Sequence, residues 1–291
     1  MRYIITLSYA GTNLSGWQKQ NNAATVQGEL ERALGILAGC PVETTGAGRT
    51  DAGVNAVNYV CHCDLHQPFP QTKPFFIHKI NAILCKDIVV HDICPENEFL
   101  FRNTVLSPQH NEDTVPSLPG PCNDFAPDQE KDGLLHARFS AKEREYRYFI
   151  HRAKDPFCEK YSWRCMWELD IDRMNEACTH LLGEHDFSCF EKAGGNNRTS
   201  ICTVYKAEWS HWKPSHIEML GYPDDGSYLV FTIRADRFLR NMVRAIVGTM
   251  VEVGRGRMEP DEVEGLILRG RRNEAGESVP GHALFLEKII Y

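Results

Sequence analysis

Eleven residues, Gly46-Ala47-Gly48-Arg49-Thr50-Asp51-Ala52-Gly53-Val54-Asn55-Ala56, hold a single carboxylate in a stretch with little side-chain bulk. Its glycines and alanines let another molecule's backbone come close, and glycine adopts the positive φ that a sharp loop needs. Arg49 stands two residues before Asp51. A cation within a few ångströms keeps a carboxylate ionised, which suits Asp51 to act as a nucleophile rather than an acid. The same residues also fit a glycine-rich turn whose Asp bonds its own backbone. The rest of the chain must decide between the two.

The flanking pattern is that of alternating strands and helices. Residues 2–10 read as a strand and 11–22 as a polar loop containing Ser15-Gly16-Trp17-Gln18. Thr25 has the character of an N-cap, and Val26, Leu30, Ala33, Leu34 and Leu37 form the apolar face of a helix stopped by Pro41. After the Asp51 loop come a strand over 54–65, a short helix near 75–84 and a strand over 88–94. Residues 103–133 carry Pro116, Pro119, Pro121 and Pro127, many acids and few large apolar side chains, the composition of a surface insertion. Beyond it, 135–151 reads as one long strand and 171–182 as a helix. Paired strands are expected over 201–212 and 228–235. Helices over 238–253 and 261–269 and a final strand over 283–290 complete the pattern. The implied class is α+β.

The chain has 291 residues and a net charge of −7. No apolar run is long enough to cross a bilayer, and Met1 to Leu7 reads as a strand rather than a signal peptide. The eleven cysteines are an odd number, scattered and without C-x-x-C spacing, which suits reduced thiols. Together these features imply a cytoplasmic protein. In Cys61-His62-Cys63 a strand would point the imidazole away from both thiols, so that fragment reads as core rather than a metal site. The acidic total is local: residues 103–133 hold six acids against Lys131. Arg138, Lys142, Arg144, Arg147, Arg152 and Lys154 outnumber the acids over 136–154, and six arginines face Asp236 and Glu252 over 234–257. Local basic surface, not net charge, decides polyanion binding.

The loop Gly48-Arg49-Thr50-Asp51-Ala52-Gly53-Val54 resembles the signature of TruA-type tRNA pseudouridine synthases. The resemblance extends in order through Gly16-Trp17-Gln18, Thr25-Val26-Gln27-Gly28-Glu29-Leu30 and His136-Ala137-Arg138-Phe139-Ser140-Ala141. It continues through Tyr146-Arg147-Tyr148 and Gly183-Glu184-His185-Asp186-Phe187 to Met242-Val243-Arg244-Ala245-Ile246-Val247-Gly248. It covers nearly the whole chain except 103–133. Asn55 departs from the family, which usually has His there.

The resemblance implies two ferredoxin-like subdomains, 1–102 and 134–291, around a central, mostly antiparallel sheet with a cleft that holds Asp51. It implies a homodimer that converts uridine to pseudouridine in the anticodon arm of tRNA, at tRNA positions 38 to 40, with no cofactor or metal. Asp51 matches the family's catalytic residue, which attacks covalently or acts as a base toward a glycal. Tyr146 matches its active-site tyrosine, against a plain reading as strand core. Arg244 matches the arginine that pairs with the Asp, against an arginine snorkelling from an apolar helix. Arg49 is a second partner of Asp51 or a phosphate contact. Leu284 lines the pocket or is strand core. Alternation over 135–151 puts Arg138, Lys142 and Arg144 on one strand face with Tyr146, extended by Arg237 and Arg240 as an RNA surface. Two rival readings are a non-catalytic RNA-binding or chaperone protein that keeps the fold, and an unrelated carboxylate enzyme. The intact Asp51, Tyr146 and Arg244 set argues against the first. The basic strand faces argue against the second.

Overall fold

The computed structural model describes residues 1–65, 68, 72–106, 134–192, 194, 198–224 and 226–291. The acidic stretch 107–133 lies outside the described residues. The first half runs β1 (Arg2–Tyr9), α1 (Val26–Ala38), β2 (Thr44–Gly46), β3 (Asn55–Asp64), α2 (Lys73–Ile83), β4 (Ile88–Pro95) and α3 (Glu96–Leu106). The second runs β5 (Glu143–His151), β6 (Trp163–Arg164), α4 (Ile171–Thr179), β7 (Gly183–Asp186), β8 (Ile201–His211) and α5 (Ser215–Leu220). It continues through β9 (Tyr228–Ala235), α6 (Met242–Gly254), α7 (Glu262–Arg269) and β10 (Leu284–Ile290).

One sheet carries both halves, in the order β4-β1-β3-β10-β5-β9-β8-β7, with β2 on β3 and β6 on β5. Most pairs are antiparallel, so the expected α+β architecture holds. The last strand closes the sheet. β10 runs antiparallel to β5, and parallel to β3 through Phe285 opposite Asn55 and Leu286 opposite Ala56. Helices cover the sheet because their apolar stripes match its inward positions. Val26, Leu30, Ala33 and Leu34 of α1 share one core cluster with Ile5, Leu7, Tyr59, Tyr148, Phe231 and the inner face of α6. Thr25 caps α1 by accepting from Gly28 N at 3.2 Å, as its position suggested.

Several boundaries differ from the sequence reading. The strand expected over 135–151 begins only at Glu143, because His136 folds the preceding residues into a turn. His136 Nδ1 accepts from the backbone N–H groups of Arg138 and Phe139, both at 3.2 Å, and Ser140 N donates to His136 O at 2.9 Å. Arg138 and Lys142 are therefore not on a strand face with Tyr146. The helix expected from Phe238 begins at Met242, because Asn241 takes a left-handed φ of 65° and ends any earlier helical run. The helix expected over 171–182 stops at Thr179, with its tail tightened into i to i+3 bonds. α3, α5 and the short strands β2, β6 and β7 gave no clear periodicity.

Candidate active site

The Asp51 loop joins β2 to β3 and is held mainly through its backbone and Thr50 by the residues around it. Tyr59 of β3 donates its hydroxyl to Gly48 O. Tyr9 of β1 bonds Thr50 Oγ1 at 2.9 Å, and Trp17 N donates to Thr50 O at 3.2 Å. Gly16 has φ 84°, and a Cβ there would lie 2.3 Å from Thr50 O. Only glycine lets the 15–18 loop press against the Asp51 loop this closely. Asn55, 1 % exposed, closes the far side. Its Oδ1 accepts from Gly11 N at 2.9 Å and its Nδ2 donates to His282 O at 2.7 Å. It is a buried amide whose two ends are both used.

Arg244 reaches Asp51 from α6, its Nη1 3.5 Å from Asp51 Oδ2. The two side chains are 22 % and 31 % exposed, so the pair is open to a ligand rather than sealed in the core. A strap between α7 and β10 aims the guanidinium. Val279 O accepts from Arg244 Nε at 2.7 Å, and Val279 N donates to Arg244 O at 3.3 Å. The strap touches α6 backbone to backbone: a Cβ on Gly248 would lie 1.8 Å from Glu277 O. Thr249 Oγ1 accepts from Gly276 N at 2.9 Å, and Tyr148 OH donates to Pro280 O at 2.9 Å.

Tyr146 of β5 is 9 % exposed, with its ring edge-to-face on Phe238 at 5.0 Å. Burial pushes its hydroxyl up to about 12; the Arg144 charge opposes the rise and the Asp51 charge adds to it. A neutral phenol, an arginine and a carboxylate thus share one electrostatic neighbourhood. Leu284, 5 % exposed, opens β10 opposite Tyr148, while Leu286 lies opposite Tyr146. The arrangement offers a carboxylate placed by a guanidinium, an aromatic ring, and apolar strand residues to shield them. Such a set can assist the departure of a leaving group or take up a proton without redox chemistry.

The basic residues separate into two kinds. Arg49, Arg138, Lys142 and Arg240 are exposed. Arg237 is half-buried and donates from Nη2 to Thr199 O at 2.8 Å. Arg144 behaves differently. Its Nη1 donates to Asp236 O at 2.7 Å and Ala141 O at 3.4 Å, and its Nη2 to Arg138 O at 2.7 Å and Ala47 O at 3.0 Å. Burial holds its guanidinium below the usual arginine range. Its donors are committed to carbonyls of three chain segments. Sequence reasoning missed this junction and the strap. Asn55 was visible only as a departure from the motif, and Val279, Gly276 and Thr249 gave no signal.

Comparison with known proteins agrees with the motifs. A family model described as tRNA pseudouridine synthase matches residues 177–291. A protein of Parabacteroides distasonis named tRNA pseudouridine synthase A is 41 % identical over 290 residues, 100 % of this chain and 96 % of its own length. Like-named proteins of Bacteroides fragilis and Porphyromonas gingivalis are 38 % and 36 % identical. Each match covers 100 % of this chain and 96 % and 97 % of theirs.

Proposed function

Because this chain belongs to the tRNA pseudouridine synthase family, we propose that it isomerises uridine in tRNA to pseudouridine with Asp51 as the catalytic carboxylate. The bond from C1′ of the ribose to N1 of the base breaks as Asp51 assists departure of the base. The base turns over, C1′ bonds to C5, the C5 proton is released and N1 gains one. Atoms and electrons balance within the nucleotide, so the reading needs no cofactor or metal. The observation that carries it is the Arg244 contact to Asp51 at 3.5 Å beside Tyr146. Arg244 aims the carboxylate. Tyr146 packs on the base, which must leave its stack to be reached, and Leu284 closes the pocket wall.

Arg49, Arg138, Lys142, Arg237 and Arg240 form the phosphate-facing set, and Arg144 supports that set from within. The subdomain 1–102 supplies the Asp51 loop, and 134–291 supplies Tyr146, Arg244 and Leu284. Residues 103–133 link them; of these only the end of α3 is described. The target is the anticodon arm, tRNA positions 38 to 40, gripped in the cytoplasm by a homodimer. A tritium-release assay on tRNA labelled at uridine C5, followed by mapping of the modified positions, tests the activity and its target. Asp51→Asn keeps the shape and removes the charge, so turnover should vanish while tRNA affinity stays within about threefold. Turnover of even a few per cent, with deamidation excluded, would remove Asp51 from the role.

A further inference from the structure

Phe139, in the motif His136-Ala137-Arg138-Phe139-Ser140-Ala141, is 51 % exposed, although a phenyl ring gains most from burial. It is held firmly all the same. His136 Nδ1 accepts from Phe139 N at 3.2 Å, and Ser140 Oγ accepts from His136 N at 2.9 Å, which closes the turn on itself. The His136 imidazole packs against the phenyl with 4.4 Å between ring centres and 31° between planes. His62, 5 % exposed, meets the imidazole edge-to-face at 5.0 Å and accepts from Ala137 N at 3.1 Å. Three rings thus lead from the interior to the surface. The turn backs the phenyl with an imidazole and leaves half of it open.

The charge around the open ring is positive. The Arg138 guanidinium lies 5.7 Å from its centre, within cation–π range. Burial and the charges of Arg49, Arg144 and Arg237 hold Arg138 below the usual arginine range. Lys142 is exposed three residues further on. An apolar partner would strip water from these cations and give nothing back. RNA supplies phosphates for the cations and a base for the ring. The turn is also fixed to the carboxylate loop. Arg144 Nη2 donates to Arg138 O at 2.7 Å and to Ala47 O at 3.0 Å. Ala47 stands four residues before Asp51, within about 14 Å along the chain. RNA with its uridine at Asp51 therefore passes within reach of Phe139.

We propose that Phe139 is a stacking platform for an unpaired base of the same tRNA, in the anticodon loop near the target uridine. The ring takes one face of that base, and Arg138 and Lys142 meet the flanking phosphates. Every base has a π-face, so the ring holds the RNA without reading which base it carries. A stacked base anchors the strand from which the uridine must turn out. The inference rests on the tRNA-isomerase reading.

A protein–RNA double-mutant cycle tests it. Binding of an anticodon stem-loop RNA, and of copies with one loop nucleotide at a time made abasic, is measured for the unaltered protein, Phe139→Leu and Phe139→Tyr. Leucine keeps apolar bulk without a π-face and should bind the intact RNA about tenfold more weakly. Tyrosine keeps the ring and should bind within about twofold. At one loop position the abasic RNA should bind the unaltered protein about tenfold more weakly, and Phe139→Leu less than about twofold more weakly. Any of the other three bases at that position should change affinity less than about threefold. The side chain is half exposed, so both variants should melt as the unaltered protein does. An affinity unchanged by Phe139→Leu, a loss that no abasic position absorbs, or a loss shared by Phe139→Tyr overturns the proposal. A lower sedimentation mass in Phe139→Leu overturns it too, since the ring would then be covered by a second copy. Failure of the unaltered protein to form pseudouridine in full-length tRNA would instead overturn the reading on which it rests.

Discussion

At the scale of the residue, Asp51 has one guanidinium in contact among the described residues, that of Arg244 at 3.5 Å. Arg244 and Asp51 are both partly exposed, so their pairing is weaker than a buried ion pair would be. A thermal or denaturant double-mutant cycle with Arg244→Met and Asp51→Asn should show a coupling of about 0.5–1 kcal/mol. Turnover in Arg244→Met should fall on the order of a hundredfold, because a loosened carboxylate loses its aim. Unchanged turnover would show that Arg244 has no part in holding Asp51. Arg144 invites the opposite expectation from a phosphate contact. Four carbonyls meet its guanidinium, and bonds to a charged group contribute about 1.5–3 kcal/mol each, though not additively. Arg144→Met should cost about 2–4 kcal/mol in denaturant stability and lower kcat, with KM for tRNA little changed. The slope of affinity against salt should stay as it was. A slope reduced by about one unit would mean that Arg144 neutralises a phosphate after all.

At the scale of the element, α6 and the strap from Gly276 to Ala283 work as a unit. Gly248 and Gly276 let the two backbones touch, and that contact puts Val279 O where it can hold Arg244 Nε. The strap then passes the Asp51 loop, where a Cβ on Gly281 would lie 2.8 Å from Ala52 O, and delivers His282 O to Asn55. One short segment thereby couples the arginine of α6 to the loop of the carboxylate. Gly248→Ala should force the strap off the helix at a cost of about 1–3 kcal/mol and reduce turnover with it. Melting within about 0.5 kcal/mol of the unaltered protein, with full turnover, would show that the strap yields freely and positions nothing.

At the scale of the whole molecule, residues 134–137 are tied to the first half and to the last residue of the second. Arg2 Nη1 donates to Leu135 O at 3.1 Å, Tyr291 OH to Ala137 O at 2.7 Å, and Ala137 N to His62 Nδ1 at 3.1 Å. His62 must be neutral at Nδ1 to accept that bond. Burial, chiefly, pushes it down to about 4, from an ordinary value near 6.5. A base whose folded pKa is depressed takes its proton first in the unfolded chain. Its contribution is therefore whole above about pH 6.5 and is lost as pH falls toward 4, by at most about 3 kcal/mol. His62→Asn, whose amide oxygen can accept from Ala137 N, should flatten the decline of denaturant stability between pH 6.5 and 4. His136, also lowered by burial, should leave a residual slope. An unchanged slope in His62→Asn would mean that His62 does not titrate in this window.

What the chain by itself determined was local and chemical. Asp51, Tyr146 and Arg244 stood out as candidates because their motifs surround them with residue types that have little other use, such as an arginine amid apolar helix positions, and the Arg244–Asp51 contact expected from the resemblance is present. The strands and long helices were legible from apolar periodicity, and the α+β class followed from their alternation. The tertiary structure decided what periodicity cannot encode. Arg138 left the strand face because a single imidazole nitrogen collects two backbone N–H groups. Arg144 became an internal junction because three distant segments present carbonyls at one point. β10 joined β3 to β5, which makes one sheet of two halves. The strap's hold on Arg244 depends on backbone atoms meeting where two glycines have no side chain. Backbone carbonyls and missing Cβ atoms are the same in every sequence window, so only the folded chain shows which of them meet.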